Sequence, residues 1–442
     1  MPSEGSADPM QKESFDIVIL GGGIAGIAAA VSAGRTGLNV ALIEQYGFLG
    51  GSATAGMVSP FMKHALEGRP LVRGVFEDLE YEMRQMGGMI DNGFSAQAFR
   101  TSAFELLRRA GVHLIFGARL ASVMKTDNRI TAAEITTGTG NRLLEAKVFI
   151  DTTGDAQLLY LGRLSWLKGD EKTGHLQAMT LFFRMAKIDL RRVCDFARQH
   201  KEDFFDWMTF DFDFSKIISI AGFFSQVKKA IIEKRLPEEI QYIFFTTLPA
   251  TGEGSFNTTN ILGIDGSTSR GMTAAEITGR RQVHAVVEFL CEDIPGFEDA
   301  FLLETATQIG VRETRRAVGD YQVTGNDILE GHKFDDAIAR GVYGIDIHGQ
   351  KGEKSRMEDP AAGKYYEIPR RALIVRDAEN VLIAGRCISA TREGHSALRI
   401  MPTSAATGEA CGVWAALAVQ KNVSLRAVPV EELQMVLRHN LL

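Results

Sequence analysis

Phe15-Asp16-Ile17-Val18-Ile19-Leu20-Gly21-Gly22-Gly23-Ile24-Ala25-Gly26 is the stretch whose reading decides the fold. Ile17 to Leu20 is apolar at every position, as a strand covered on both faces requires. The glycines follow at once. Ile24 to Thr36 is then rich in alanine, with Gly37 where a helix takes its left-handed closing residue. Asn39-Val40-Ala41-Leu42-Ile43 is a second apolar strand, ending at Glu44. Strand, glycine turn, helix and strand make a βαβ unit. In that setting Gly21-x-Gly23-x-x-Gly26 permits a tight turn, close approach to a pyrophosphate, and close helix–strand packing. Free N–H groups and the helix dipole complete the anion site. Glu44 lies 23 positions after Gly21, where a carboxylate accepts hydrogen bonds from a ribose diol.

The wider chain fits an ordinary globular protein of two or three domains. It has 442 residues, of which 45% are hydrophobic and 24% charged. Lys plus Arg is 49 against 55 Asp plus Glu, a net charge of −6, which disfavours nucleic acid as a partner. The longest apolar runs, such as Val413 to Val419, are far short of the ~18 residues of a spanning helix, so no membrane role is expected. The first fourteen residues are polar and read as a disordered arm without a secretory signal. Four cysteines, none in a CxxC, form neither a disulfide framework nor a metal site, and a cytoplasmic location follows. Glycine is in excess at 45 residues while proline stands at 11, which points to backbone that approaches something closely.

Residues 50 to 90 read as irregular, and Ser95 to Ala110 as a helix ended by Gly111. Short strands at 112–116, 119–125, 130–137 and 142–150 suggest a small antiparallel meander. Ten of the 26 phenylalanines fall between Phe182 and Phe224, marking a change of character. Helices are expected near 189–200, 225–236 and 273–291, the last with the capping box Thr273-Ala274-Ala275-Glu276. Alternation in Phe210-Asp211-Phe212-Asp213-Phe214 would put three rings on one face of a strand. Val381 to Ala384 reads as a buried strand before Gly385, and Thr403 to Val419 as a small-residue helix after Pro402. The expected organisation is a discontinuous nucleotide-binding domain at 15–160 and 366–442. A substrate or cap domain occupies 161–365 and the arm 1–14.

The glycine pair after the second strand, in Gln45-Tyr46-Gly47-Phe48-Leu49-Gly50-Gly51-Ser52-Ala53-Thr54, is more than NAD needs. It fits a longer cofactor whose flavin end lies deeper, with Thr153-Gly154-Asp155 and Gly385-Arg386 adding contacts at strand ends. With these motifs the sequence resembles the FAD-dependent oxidoreductases of the glutathione-reductase-like two-domain flavoprotein fold, and more narrowly the bacterial family called FAD-dependent oxidoreductase. Further matching blocks are Gly310-Val311-Arg312-Glu313-Thr314-Arg315-Arg316, Asp346-Ile347-His348, Ile368-Pro369 with Arg371, Ala384-Gly385-Arg386-Cys387-Ile388-Ser389, and Arg399-Ile400-Met401-Pro402. The likeness runs from about residue 15 to 420. It implies an α/β fold: a Rossmann-like FAD-binding domain with a central parallel sheet and a β-meander, plus an inserted α+β substrate domain.

The resemblance also implies site residues. Gly21, Gly23, Ile24, Ala25 and Gly26 would hold the pyrophosphate, and Glu44 with Gln45 the adenosine ribose. Gly50, Gly51, Ser52, Ala53 and Thr54 would run along the ribityl chain and flavin, and Arg119-Leu120 would meet adenine. Thr153, Gly154, Asp155, Gly385, Arg386, Thr403 and Ser404 would lie by the ribityl chain and the pyrimidine edge, where a helix N-terminus favours the reduced, anionic flavin.

For catalysis His348 and His395 are the candidate acid–base groups, because imidazole titrates near working pH; each is equally readable as structural. His64 is a weaker candidate. Arg312, Arg315 and Arg316 share a face if helical, and form either an anion clamp or an ion-paired surface with Glu313. Arg392 and Arg399 flank His395 and could anchor a carboxylate or a hydroxyl-rich substrate. Cys387 is a redox thiol or a small buried residue. The expected activity is hydride transfer between a small polar alcohol, amine or carboxylate and flavin N5. The alternatives are an electron-transfer subunit, or FAD-using group transfer of the thiazole-forming or tRNA-modifying kind. A homodimer is possible, no metal is expected, and the residues leave the electron acceptor open.

Overall fold

A computed structural model of the chain describes residues 11–248, 252–350 and 355–441. Strand β1 (Gln11–Leu20) leads through the glycine turn into helix α1 (Ile24–Gly34) and strand β2 (Val40–Glu44). Helices α2 (Val75–Gln85) and α3 (Ala96–Arg109) precede β3 (His113–Phe116). Strands β4 (Arg119–Thr126), β5 (Arg129–Thr137) and β6 (Gly140–Asp151) follow. The sheet order is β3-β2-β1-β6-β5-β4, with Val381–Ile383 as a further strand on β6. β1 pairs parallel to both β2 and β6, and β2 parallel to β3. This is a Rossmann-like parallel sheet with an antiparallel extension.

The alternation of β1 explains its unbroken apolar run. Ile17 and Ile19 enter the core shared with α1, while Val18 and Leu20 enter the core on the opposite face. Residues 11–14, expected in a disordered arm, belong to β1 and pair with residues 142–145. Residues 1–10 lie outside the described residues. The expected meander is reduced to β4, β5 and β6, because β3 joins the parallel side. β6 serves both patterns: its first half pairs antiparallel with β5, and Phe149–Asp151 pair parallel with Val381–Ile383.

A second sheet is fully antiparallel, built from β7 (Phe183–Ala186), β8 (Ser219–Gly222), β9 (Ile243–Thr247), β10 (Gly254–Phe256) and β11 (Phe301–Thr305). Its order is β8-β9-β10-β7-β11. Helices α4 (Leu190–Gln199), α5 (Phe224–Ile232) and α6 (Ser269–Asp293) accompany it. Most of its core comes from Met179 to Ile309 and is rich in stacked phenylalanines such as Phe183, Phe245 and Phe256. The region expected as one inserted unit divides between cores, since Val323, Ile328, Ile338 and Ile345 belong to the same core as the α1 residues.

Local readings fail where short-range signals compete. The irregular stretch expected at 50–90 contains α2, whose Val75, Phe76, Leu79 and Met83 form a buried face. α6 starts at Ser269, four residues before Thr273, because the Thr268 side chain caps it by accepting from Gly271 N. The Phe210–Phe214 segment is not a strand; Phe210 and Phe212 are half-buried under Lys201 and Arg198, and Phe214 is exposed under Arg191.

The last long helix, α7 (Met401–Lys421), lies against α1. A Cβ on Gly408 would sit 2.1 Å from the Ala25 carbonyl oxygen, and one on Gly412 2.2 Å from that of Ala29. These two glycines set how closely the helices approach. Gly412→Val should therefore cost about 1–3 kcal/mol by overpacking, read as a lower melting temperature. An unchanged melting temperature would show that the α1–α7 contact does not limit stability.

Candidate active site

The glycine turn is held by backbone contacts and one carboxylate. Gly21 has φ +103, and a Cβ on it would lie 2.6 Å from the Thr152 carbonyl oxygen. A Cβ on Gly26 would meet the Gly21 carbonyl oxygen at 1.9 Å. Thr152 Oγ1 donates to the carbonyls of Leu20 and Gly21, pinning the end of β6 to the turn. Buried Glu44 accepts from Gly22 N at 2.7 Å and from Tyr46 N at 2.9 Å. Burial raises its pKa against these N–H donors, so the carboxylate orders the turn as well as facing the cavity. Gly50 N donates to Gly22 O, so the second glycine pair leans on the first.

These elements open on one cavity of about 770 Å³ between the two sheets. Gly21, Gly23, Ile24, Ala25, Glu44, Gln45, Gly50, Gly51, Ser52, Arg119 and Leu120 line it. So do Thr153, Gly154, Asp155, Gly385, Arg386 and Ser404. Gly26, Ala53, Thr54 and Thr403 lie buried behind this wall. Gly23 caps α1 without a side-chain bond, and a Cβ built on it meets nothing within 4 Å. That is the cradle a pyrophosphate needs: bare backbone, an uncapped helix start, and space in front of it. α7 also begins without a side-chain cap, and Ile400, Met401 and Ser404 bring its start to the same cavity. Arg386 pairs with Asp155 at 2.9 Å, and Thr314 Oγ1 donates to the same carboxylate.

A second cluster lines the cavity: Tyr343, Asp346, His348, Arg399 and Arg312. Asp346 is its hub. Its Oδ1 lies 3.3 Å from His348 Nε2, and its Oδ2 accepts from Tyr343 OH at 2.8 Å. Arg399 Nη2 donates to the Asp346 carbonyl at 3.1 Å and reaches Oδ2 at 3.4 Å. Burial pushes the Asp346 pKa up, but His348, Arg399 and Tyr343 overcome it and leave the group well below the usual range. Burial, then the charge of Arg312, lower the His348 pKa below 6.5 against the pull of Asp346, so the ring is neutral at pH 7. Burial and Asp346 keep Tyr343 protonated. Tyr343 was missed in the sequence; its only signal is its place three residues before Asp346.

The cavity gathers some candidates and excludes others. His395 is fully buried, with Nε2 3.1 Å from the Arg386 carbonyl oxygen; burial and nearby arginines drive its pKa far down, and it does not line the cavity. It is a core histidine. The arginine row is not helical: Arg315–Ala317 pairs as strand with Trp166–Lys168, so the three side chains diverge. Arg315 stacks on Tyr160 at 4.1 Å, while Arg316 is buried on Glu313. Arg392 is buried against Glu313 and Asp170. His64 lies off the cavity, 3.9 Å from Glu80. Cys387 is buried, takes the Ala156 N–H at 3.3 Å, and has its thiol pKa raised by burial, which does not suit a redox thiol.

Fold and cavity define a dinucleotide-binding protein of the Rossmann-like class. The chain belongs to the family described as FAD dependent oxidoreductase, whose sequence profile matches residues 16–437. FAD is thus its cofactor and the protein is an oxidoreductase. Protein FixC of Salmonella typhi and of Salmonella typhimurium are each 30% identical over 172 residues, covering 34% of this chain and 39% of theirs. The match therefore spans well under half the length of those relatives. Among solved structures, a geranylgeranyl bacteriochlorophyll reductase-like protein from Thermoplasma acidophilum shares the fold. It is similar over 97% of this chain and 84% of its own, at 11% identity and a TM-score of 0.51. The myxobacterial chondrochloren halogenase is similar over 96% of this chain and 78% of its own, at 12% identity and a TM-score of 0.49. No helix among the described residues is long and apolar enough to cross a membrane.

The two glycines of the turn should fail differently. Gly23→Val places its side chain in open space, so the protein should fold and purify colourless. Gly26→Val, set against the Gly21 carbonyl, should not fold. Absorbance at the flavin bands and circular dichroism separate the two; a yellow Gly23→Val protein would remove Gly23 from the cofactor site.

Proposed function

We propose that this chain moves a hydride between a small polar substrate and FAD, with His348 as the proton carrier. The observation that carries this reading is that one cavity joins the glycine turn to the Tyr343–Asp346–His348–Arg399 cluster. The extended FAD placement of glutathione-reductase-like flavoproteins is part of the same reading. It is supported by the Gly50–Gly51 pair leaning on Gly22 and Gly23 and by the α7 start at the cavity. Gly21 and Gly23 with the start of α1 would hold the pyrophosphate, Glu44 the ribose, and Arg119–Leu120 the adenine. Gly385 and Ser404 would flank the flavin.

When bound, FAD supplies the two-electron acceptor or donor. The protein's share is proton handling and orientation. Neutral His348 donates Nε2–H to Asp346, which leaves Nδ1 as the basic nitrogen. In the oxidation direction Nδ1 takes the proton of a substrate hydroxyl or amine, and in the reverse direction it returns one. Asp346 stays ionised and steadies the resulting imidazolium, as the carboxylate of a hydrolase triad does. Tyr343 and Arg399 hold Asp346 in place. The small-molecule partner is assigned on this reading alone.

His348→Ala should lower kcat by about 10²–10⁴-fold while the protein stays yellow. Because neutral His348 is the active form in oxidation, kcat/KM should rise with pH through the His348 pKa, below 6.5. Asp346→Asn removes a charge that raises that pKa, so the acid limb should move to still lower pH. A pH profile identical in wild type and Asp346→Asn would reject His348 as the titrating base.

A further inference from the structure

We infer that the substrate is a small monocarboxylate anchored by Arg312, an assignment that rests on the hydride-transfer reading and deepens it. Five arginines are candidate anchors in the sequence, and the structure leaves one. Arg315 is spent on Tyr160 and Trp166, Arg316 on Glu313, Arg392 on Glu313 and Asp170, and Arg399 on Asp346. Arg312 lines the cavity, half-buried, and among the described residues no carboxylate lies within ion-pair distance of it. Its fixed partners are neutral: Nη1 donates to the Ala178 carbonyl at 2.7 Å and Nη2 to Asn257 Oδ1 at 3.3 Å. Thr180 Oγ1 donates to that same Asn257 oxygen at 3.1 Å, which holds the amide in place.

These bonds aim the guanidinium without neutralising it. Two of its five N–H groups are used, and three stay available for a planar, bidentate acceptor. Burial and the neighbouring Arg399 lower its pKa to about 10, so it is still a cation at pH 7. The charge count of the cluster gives the ligand's charge. Arg312 and Arg399 contribute two positive charges, Asp346 one negative, and His348 none, so one negative charge balances the site. A carboxylate supplies that charge in the plane the guanidinium presents; a phosphate dianion overshoots it. Phe182, Phe244 and Met272 line the same cavity and can accept a short apolar tail.

The test is binding to the FAD-loaded protein without turnover. Butyrate and its neutral isostere butyramide are titrated at about pH 8.5, where Arg312 is still a cation and inorganic phosphate, the third probe, is a dianion, following the visible flavin bands and calorimetric heat. Butyrate should bind saturably and at least about 10-fold tighter than butyramide, the size of a lost charge-assisted bond. Phosphate should not compete. Arg312→Met should abolish the preference for butyrate, and Arg312→Lys should keep part of it, each with wild-type flavin content and melting temperature. If Arg312→Met does not fold, Arg312→Lys and Asn257→Ala must each weaken butyrate more than butyramide. Equal binding of the two probes, no binding of butyrate, competition by phosphate, or an unchanged preference in the variants overturns the assignment. Carboxylates that bind through Arg312 while none from glycolate to alanine bleaches the flavin anaerobically would uphold the anchor and sink the hydride-transfer reading instead.

Discussion

Close backbone approach at the first turn is the constraint on which the rest of the structure depends. Gly26 lies against the Gly21 carbonyl, Gly21 against Thr152, and the Thr152 hydroxyl bonds back to Leu20 and Gly21. No side chain larger than hydrogen fits at the first two positions. With α1 pressed onto the sheet in this way, its uncapped start must face the space beyond the strand ends. α7 then packs on α1 through Gly408 and Gly412, and its own start arrives at the same space. Two helix N-termini facing one cavity follow from four glycine contacts.

The opposite requirement, fixed charge in a sheltered place, is met by a different chemistry. Asp346 collects a histidine, a tyrosine and an arginine, and each of its oxygens is engaged. A buried carboxylate without such partners would take up a proton; this one is held ionised. The Glu313–Arg316–Arg392 group a short way along the chain is as charged and as buried, yet it lies off the cavity and serves packing. Charge and burial alone do not mark a functional site. Access to the cavity does.

Legibility in the sequence follows the range of the interactions involved. The βαβ unit was readable because its determinants are local: an apolar run, glycines at fixed offsets, and an acid at a strand end. The cavity-lining residues of that unit were readable for the same reason. α2 escaped because the glycines around it outweighed a four-residue apolar face, and the start of α6 shifted because one threonine outcompeted another as a cap. His395 and His348 looked alike in sequence, since each stands beside small or acidic residues. One is sealed in the core and the other borders open space.

The sequence by itself determined a Rossmann-like βαβ unit, the dinucleotide turn and the acidic strand end, since each is written within a short span of chain. Only the tertiary structure decided which arginines are already paired, which histidine meets the cavity, and that Tyr343 and Asn257 stand beside them. The partners concerned, such as Arg312 with Ala178 and Asn257, or Asp346 with Arg399, are far apart in the chain. Whether a buried charge is neutralised depends on distances of a few ångströms that no spacing in the sequence encodes.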